Sequence, residues 1–169
     1  MDLFDAIYGR RSIRQFTPEA VSDERLMQLL KAAMAAPSAG NEQPWHFVVV
    51  SEREKLDAIT KFHPYANALE TAPLGIVVCG DLMIERYEGF WVQDCSAAIE
   101  NLLLAAYALG LGTVWLAGHP VEDRCVNLRR LLGIPANVVP LAIIAVGHPA
   151  ETKPPVDRFN MSRIHRDKW

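Results

Sequence analysis

Three arginines and a serine close together near the start of the sequence have the chemistry to bind an anion. Residues 10–14 read RRSIR. In an extended chain alternate residues project to one side, so Arg10, Ser12 and Arg14 can converge on one ligand while Arg11 faces away. Guanidinium groups donate forked hydrogen bonds to phosphate oxygens, and the serine hydroxyl adds a third direction. The segment predicts a phosphate site, although a solvated basic surface neutralised by nearby acids explains the spacing equally well.

A second stretch, APSAGNEQPW, contains the small polar residues that let a backbone approach a planar ligand closely. Pro37, Ser38 and Asn41 stand between a helical pattern and an apolar run, which predicts a loop. Taken alone, the stretch is better explained as an ordinary turn in which Ser38 and Asn41 bond to their own backbone.

The sequence carries none of the common local signatures of other catalytic or nucleotide-binding sites. It has no GxGxxG after an apolar run, no GxxxxGK[ST], no GxSxG and no HExxH. Cys79, Cys95 and Cys125 show no CxxC spacing, so neither a disulfide framework nor a thiolate metal site is indicated. We therefore expect no bound metal and no protein nucleophile.

The composition limits the classes of partner. The 169 residues are 50% hydrophobic and carry a formal net charge of −3, which disfavours nucleic acids and anionic membrane surfaces. No basic stretch followed by an apolar core and cleavage site opens the sequence, and no run approaches about 18 apolar residues. We expect a cytoplasmic protein, and the apolar content favours an oligomer.

Alternating helices and buried strands are predicted within a single domain covering residues 1–169. Four short apolar runs bounded by turn residues predict strands, at 46–50, 75–80, 113–116 and 141–147. The helix predicted at 91–109 is apolar around most of its circumference, which suggests that a second subunit covers part of it. Residues 148–169 are proline-rich, charged and aperiodic, and are expected to form an extended C-terminal arm.

Four stretches, in this order and spacing, resemble the FMN-dependent nitroreductase family along nearly the whole chain. They read RRSIRQF, APSAGNEQPWHFVVV, WVQDCSAAIENLLLAAYALGLGTVWLAG and VGHPAETKPPVDR. The resemblance implies an α+β fold with a central, mostly antiparallel or mixed β-sheet flanked by helices. It also implies an intertwined homodimer that binds FMN at the interface between its subunits.

The resemblance assigns candidate roles to individual residues. Arg10, Ser12 and Arg14 are expected to contact the phosphate, ribityl chain and pyrimidine edge of FMN, with Arg158 joining at the phosphate. The loop at 37–41 is expected to come from the other subunit, and backbone amides of 116–118 to face N5 and O4 of the flavin. The full candidate cofactor set is Arg10, Arg11, Ser12, Arg14, Pro37, Ser38, Asn41, Leu116, Ala117, Gly118 and Arg158.

The activity implied by the resemblance is that of an FMN-dependent NAD(P)H oxidoreductase with a ping-pong mechanism. A hydride from NADH or NADPH reaches flavin N5, the oxidised nicotinamide leaves, and a nitroaromatic, quinone or related small-molecule acceptor takes the electrons. Because the cofactor carries this chemistry, no catalytic side chain is expected. The alternative is an FMN-binding storage, delivery or regulatory module without significant turnover.

Two departures from the family pattern bear on the substrate. The chain lacks much of the insertion between the second and third strands that shapes the substrate channel of larger relatives, and it has Ala117 where some relatives carry an acid. Tyr65 and Asn67 lie where the alignment is loose, and both stay outside the candidate set. The acceptor, the preference for NADH or NADPH and the number of electrons per transfer remain open, as does the role of His119.

Overall fold

The structure, a computed structural model, describes residues 2–169 and contains a four-stranded antiparallel sheet in the order β1-β2-β4-β3. The strands are β1 (Trp45–Val50), β2 (Leu74–Asp81), β3 (Gly112–Ala117) and β4 (Val138–Gly147). The helices are α1 (Leu3–Gly9), α2 (Asp23–Met34), α3 (Arg53–Phe62), α4 (Trp91–Ala108) and α5 (Glu122–Leu132). Short 3₁₀ turns cover Ala39–Asn41, Asn67–Glu70 and Met161–Arg163. The predicted α+β class and antiparallel sheet are confirmed.

Helices pack on both faces of the sheet, because the central strands β2 and β4 are apolar on both sides. Successive residues of β4 alternate between the two faces: Ile144 joins the core under α2 and α4, and Ile143 joins the core under α3 and α5. Helix α4 buries Cys95, Ile99 and Leu102 in the first of these cores. The sheet is therefore the middle layer that holds both ends of the molecule in place.

Helix ends follow the residues that the sequence offers as caps. The Asp2 carboxylate accepts the Phe4 N–H while Asp5 accepts the Asp2 N–H, so α1 begins with a capping box. Ser22 accepts the Arg25 N–H at the start of α2. Helix α5 ends at Gly133, whose φ of 66° is a left-handed conformation that glycine adopts without strain. These caps fix where the connecting loops leave the helices.

Strand β4 begins three residues before its predicted start at residue 141. Pro140 reads as a strand breaker in the sequence, yet it pairs with Cys79. The register shifts there, because Val78 pairs with Ala142 and Leu141 has no partner of its own in β2. This bulge lets a residue without an N–H stay within the sheet.

The segment from 10 to 17 lies between the outer edge of β3 and the start of the C-terminal arm. Ser12 forms a parallel bridge to Thr113, and the Ile13 N–H donates to the Thr113 carbonyl at 2.9 Å. The Ala150 N–H donates to the Gln15 carbonyl at 2.9 Å. The two ends of the chain thus meet at one edge of the sheet. Beyond this contact the arm is mostly exposed.

Candidate functional site

A cavity of about 600 Å³ lies at the outer edge of β3, and it brings three of the predicted cofactor residues together. Arg14 enters it from the N-terminal segment, while Leu116 and Ala117 enter it from the end of β3. We call it the edge cavity. Its other walls come from the N-terminal segment, the turn after α3, β3 and α5: Gln15, His63, Pro64, Tyr65, Asn67, Ala68, Trp115 and Arg124.

The Ala117 carbonyl in the edge cavity accepts two hydrogen bonds. His63 is 1% exposed, and its Nδ1 accepts the Tyr65 N–H at 3.3 Å. An amide can only donate, so the His63 proton is on Nε2, which donates to the Ala117 carbonyl at 2.9 Å. Arg124 Nη1 donates to the same oxygen at 3.0 Å. Burial lowers the pKa of His63, and the nearby Arg124 charge lowers it further, so the ring is held neutral.

The backbone at the end of β3 presents one amide to the edge cavity. The Gly118 N–H is used within the sheet, since it donates to the Leu141 carbonyl at 2.9 Å. In an antiparallel ladder alternate residues turn their N–H and C=O to opposite sides, so Ala117 turns both toward the outer edge. Of the three predicted residues at 116–118, Ala117 is therefore the one whose amide faces a ligand in the edge cavity.

A second cavity, of about 310 Å³, lies next to the first along the same pair of segments. Arg10, Gly112 and Lys153 line it, and we call it the basic cavity. Arg10 Nε is buried without a hydrogen-bond partner among residues 2–169, and its nearest acid is Glu100 Oε1 at 3.5 Å. An unsatisfied buried guanidinium nitrogen next to a cavity is suited to an anion.

Lys153 and Glu151 hold the N-terminal segment against the basic cavity. Lys153 Nζ donates to the Ser12 carbonyl at 2.7 Å and lies 3.3 Å from Glu151 Oε1. Glu151 accepts the Arg14 backbone N–H at 2.6 Å, and this bond, followed by Lys153, lowers the pKa of the Glu151 carboxyl. Ser12 itself lies between the two cavities at its bridge to Thr113. The two cavities are lined by successive residues of the same two segments, and we call this pair of neighbouring cavities the track from Arg10 to Ala117.

Arg11 and Arg158 are placed differently from Arg10 and Arg14. Arg11 lines the basic cavity, but backbone carbonyls use its guanidinium. Arg11 Nε donates to the Pro154 carbonyl at 3.0 Å, and Nη1 donates to the carbonyls of Tyr8 and Arg10 at 2.8 and 2.6 Å. Its guanidinium therefore fastens the arm to the N-terminal segment. Arg158 shares a separate cavity of about 700 Å³ with Arg11 and Tyr8, and neither Arg10 nor Arg14 lines that cavity.

The loop containing Pro37, Ser38 and Asn41 sits at the start of α4. The Ser38 hydroxyl accepts the Gln43 N–H at 3.0 Å, which is the local bonding of an ordinary turn. Asn41 has a φ of 57°, a left-handed conformation tolerated by asparagine. None of the three predicted residues lines the edge cavity. Within one chain, this loop does not reach Arg14.

Two carboxyls are buried beneath this loop, Glu42 (7% exposed) and Asp94 (4% exposed). Asp94 Oδ1 accepts the Ala39 N–H at 2.9 Å, and Glu42 Oε2 accepts the Arg86 N–H at 2.7 Å. The second oxygen of each group has no partner among the described residues. Burial raises the pKa of Asp94, and the neighbouring carboxyls of Glu42 and Glu85 raise it further.

The sequence interpretation missed three residues that shape the site, His63, Arg124 and Lys153. His63 and Arg124 belong to no recognisable pattern, and Lys153 lies in the VGHPAETKPPVDR stretch but was given no role there. Each reaches the site only because the fold brings distant segments together. Tyr65 and Asn67, which a loose alignment left outside the candidate set, both line the edge cavity.

Two further classes of feature are missing from residues 2–169. None of the helices there is both long and apolar enough to cross a bilayer. No group of three or more His, Cys, Asp or Glu side chains in that part of the chain could hold a metal ion.

Comparison with known proteins gives consistent matches along the chain. The sequence model of the family described as Nitroreductase family matches residues 7–70 and 61–148. A protein of Archaeoglobus fulgidus, provisionally named an NADH dehydrogenase/NAD(P)H nitroreductase, is 51% identical over 167 residues, which cover 96% of each chain. A structure from Parabacteroides distasonis with the same provisional name has a TM-score of 0.95 at 38% identity and covers 99% of this chain and 98% of its own. A provisionally named nitroreductase from Desulfovibrio desulfuricans, solved in complex with FMN, has a TM-score of 0.89 at 34% identity and covers 100% of this chain and 98% of its own.

Proposed function

Because this chain belongs to the nitroreductase family, we propose that it is an FMN-dependent oxidoreductase that takes electrons from NADH or NADPH and passes them to a small-molecule acceptor. Nitroaromatic compounds and quinones are the acceptor classes that the family resemblance suggests. The observation that carries the proposal is the track, in which the basic cavity and the edge cavity follow one another along the same two segments. A ligand with an anionic end and a planar end, such as FMN, matches it.

The residues along the track fit the two ends of FMN. At the basic cavity, Arg10 Nε, which forms no hydrogen bond among residues 2–169, and the Lys153 ammonium are suited to the phosphate. At the edge cavity, Arg14 supplies a positive charge and Ala117 supplies a backbone N–H. The Arg14 guanidinium and the Ala117 N–H form no bond within residues 2–169. Both groups can therefore bind FMN without first breaking another hydrogen bond.

Bound FMN would supply the hydride chemistry, and the chain's own residues would bind and orient it. A cation such as Arg14 in a partly closed cavity stabilises negative charge that develops on a nearby ring. The His63 and Arg124 bonds to the Ala117 carbonyl fix the strand end that faces the ring. No side chain has to act as a nucleophile or a general base.

A homodimer accounts for the predicted residues that one chain keeps apart. Ala39 contacts Asp94 in the first turn of α4, whereas Arg10 contacts Glu100 six residues later, about 9 Å further along the helix axis and on another side of it. Within one chain the 37–41 loop and Arg10 lie at different levels and on different sides of α4, and a second subunit would bring such a loop to the FMN held by Arg10. Large apolar side chains exposed on α1 and the arm are suited to such an interface: Leu3, Phe4, Ile7, Tyr8, Phe159, Met161 and Ile164. Arg158, on the same arm, would join the cofactor site in the same way.

Spectroscopy of the purified protein tests the cofactor. The protein should show a flavin spectrum or regain one with added FMN, and its native mass in light scattering should be that of a dimer. Arg14→Ala should greatly weaken FMN retention, while Arg130→Ala, an exposed arginine in the last turn of α5, should leave it unchanged. Protein that cannot be reconstituted with FMN would contradict the proposal.

Anaerobic mixing with NADH and with NADPH tests turnover. Prompt bleaching of the flavin, reversed by a quinone or nitroaromatic acceptor, is expected of the oxidoreductase. A bound flavin whose spectrum does not change would instead identify an FMN storage or delivery module. A cytoplasmic location and the absence of a nucleic-acid partner stay predictions.

A further inference from the structure

The edge cavity contains two arginines and no acidic residue. Arg14 and Arg124 both line it, and none of its other wall residues is Asp or Glu. Under the proposed function Arg14 is used by the cofactor. Arg124 is therefore a second positive charge in the same cavity, with no assigned ligand.

Arg124 has unused hydrogen-bonding capacity. It donates to the Ala117 carbonyl through Nη1, which is one of the five N–H donors of a guanidinium. Its carbon Cζ lies 5.5 Å from the centre of the Tyr65 ring, so the planar group is stacked on the rim of the cavity. It forms no ion pair with any acid among the described residues. The remaining donors are left for a ligand.

Helix stability does not account for this arginine. Arg124 is in the first turn of α5, where the helix dipole favours acids, as Glu122 and Asp123 illustrate. A cation at this position opposes the dipole and would suit the last turn better, where Arg129 and Arg130 lie.

We propose that Arg124 selects electron acceptors that carry a carboxylate or sulfonate on a planar aromatic ring. This inference rests on the proposed function, because the acceptor must enter the edge cavity beside the flavin. Trp115 and Tyr65 provide aromatic surface for the ring of the acceptor, and the Arg124 guanidinium pairs with its anionic group. Tyr65, 73% exposed, forms the entrance.

Two acceptors of matched shape test the proposal, 4-nitrobenzoate and its neutral amide 4-nitrobenzamide. In each reaction one NADH and one proton reduce the nitro group to a nitroso group, with release of NAD⁺ and water. The wild-type protein should have the higher kcat/KM with the carboxylate. Arg124→Gln keeps a donor for the Ala117 carbonyl but removes the charge, and should lower the carboxylate-to-amide ratio of kcat/KM by about tenfold or more. Intrinsic differences in reactivity between the compounds cancel when this ratio is compared between variants.

Arg124→Lys and Arg130→Gln are the matched controls. The lysine keeps the charge without the planar fork and should retain part of the preference. Arg130 is on the same helix but does not line the cavity, so Arg130→Gln should leave the ratio unchanged. If Arg124→Gln folds poorly, raising the ionic strength with the wild-type protein should lower the same ratio, because salt screens a partly exposed charge pair.

Three results would overturn the inference. They are an equal ratio in Arg124→Gln and wild type, an equal loss of activity with both acceptors, and a rise only in the KM for the nicotinamide. FMN content and anaerobic reduction by NADH are measured on every variant. If these fail in the wild-type protein, the proposed function itself is wrong, whereas normal values with an unchanged ratio reject the role of Arg124 alone.

Discussion

Replacing Asp94 with asparagine is expected to stabilise the protein at neutral pH and to leave its stability in acid unchanged. Asp94 Oδ1 accepts the Ala39 N–H, while Oδ2 and the neighbouring Glu42 Oε1 are buried without partners among residues 2–169. The Glu42 carboxyl is near enough to Asp94 to raise its pKa. An asparagine keeps the acceptor for Ala39, and its amide can donate to Glu42. The substitution therefore satisfies two buried atoms at once.

The direction of the pH effect follows from the raised pKa of Asp94, which is caused first by burial and then by the Glu42 and Glu85 carboxyls. The folded protein holds a proton at this carboxyl more tightly than the unfolded chain does. Stability therefore falls as pH rises from the ordinary pKa of an aspartate through the folded pKa, and stays lower above it. Asparagine has no proton to lose, so the variant lacks this decrease.

The size of the effect is that of one hydrogen bond to a charged partner, about 1.5–3 kcal/mol. For a chain of 169 residues each kcal/mol shifts Tm by roughly 2–4 °C, so Tm at neutral pH should rise by about 3–12 °C. Thermal unfolding of the wild type, Asp94→Asn and Asp94→Ala from about pH 3 to about pH 8 measures it. Asp94→Ala leaves the Ala39 N–H without an acceptor, so this variant should be less stable than the wild type at every pH. If Asp94→Asn is destabilised equally throughout, both oxygens of Asp94 are satisfied as a carboxylate and the reasoning is wrong.

Three other substitutions test separate parts of the structure. Because burial lowers the pKa of His63, wild-type stability should fall as pH drops below 6.5 through the folded pKa, and urea unfolding should show a shallower pH dependence in His63→Gln. An identical slope in both proteins would contradict this. Arg11→Lys cannot keep the forked bonding that reaches the Pro154 carbonyl, so limited proteolysis should cut the arm faster, and unchanged cleavage would show that the arm is held elsewhere. Gly118→Ala would bring a Cβ to 2.7 Å from the Pro140 carbonyl oxygen, which should cost about 1–3 kcal/mol in thermal unfolding; a neutral effect would show that the strand end can shift.

The core elements of the fold could be predicted because their signals are local. The runs at 75–80 and 141–147 are apolar on both sides, and they form the two central strands. The helix caps at Asp2 and Ser22 and the helix end at Gly133 can be predicted from neighbouring residues alone. The start of β4 was missed because the bulge that accommodates Pro140 depends on the partner strand.

The candidate site was predictable only where its residues are neighbours in sequence. The RRSIR cluster supplied Arg10 and Arg14, which do line adjoining cavities. Arg11 is the same residue type as Arg10 and Arg14. It donates to the carbonyls of Pro154 and Tyr8, and the bond to Pro154 forms only because the arm passes beside it in the fold. His63 is 54 residues from the carbonyl that it holds, and no spacing rule connects such a pair.

The meeting of both chain ends at one sheet edge has a consequence for biosynthesis. Lys153 and the Ser12 carbonyl that it holds are 141 residues apart. At a translation rate of about 5–20 residues per second, the RRSIR segment waits roughly 7–28 s for its partner to leave the ribosome. The nascent chain can bury much of its core in that interval, but the basic cavity is completed only after Lys153 has left the ribosome. We therefore expect flavin loading to wait until the arm has been synthesised, and a ribosome-stalled chain ending before residue 148 to capture none.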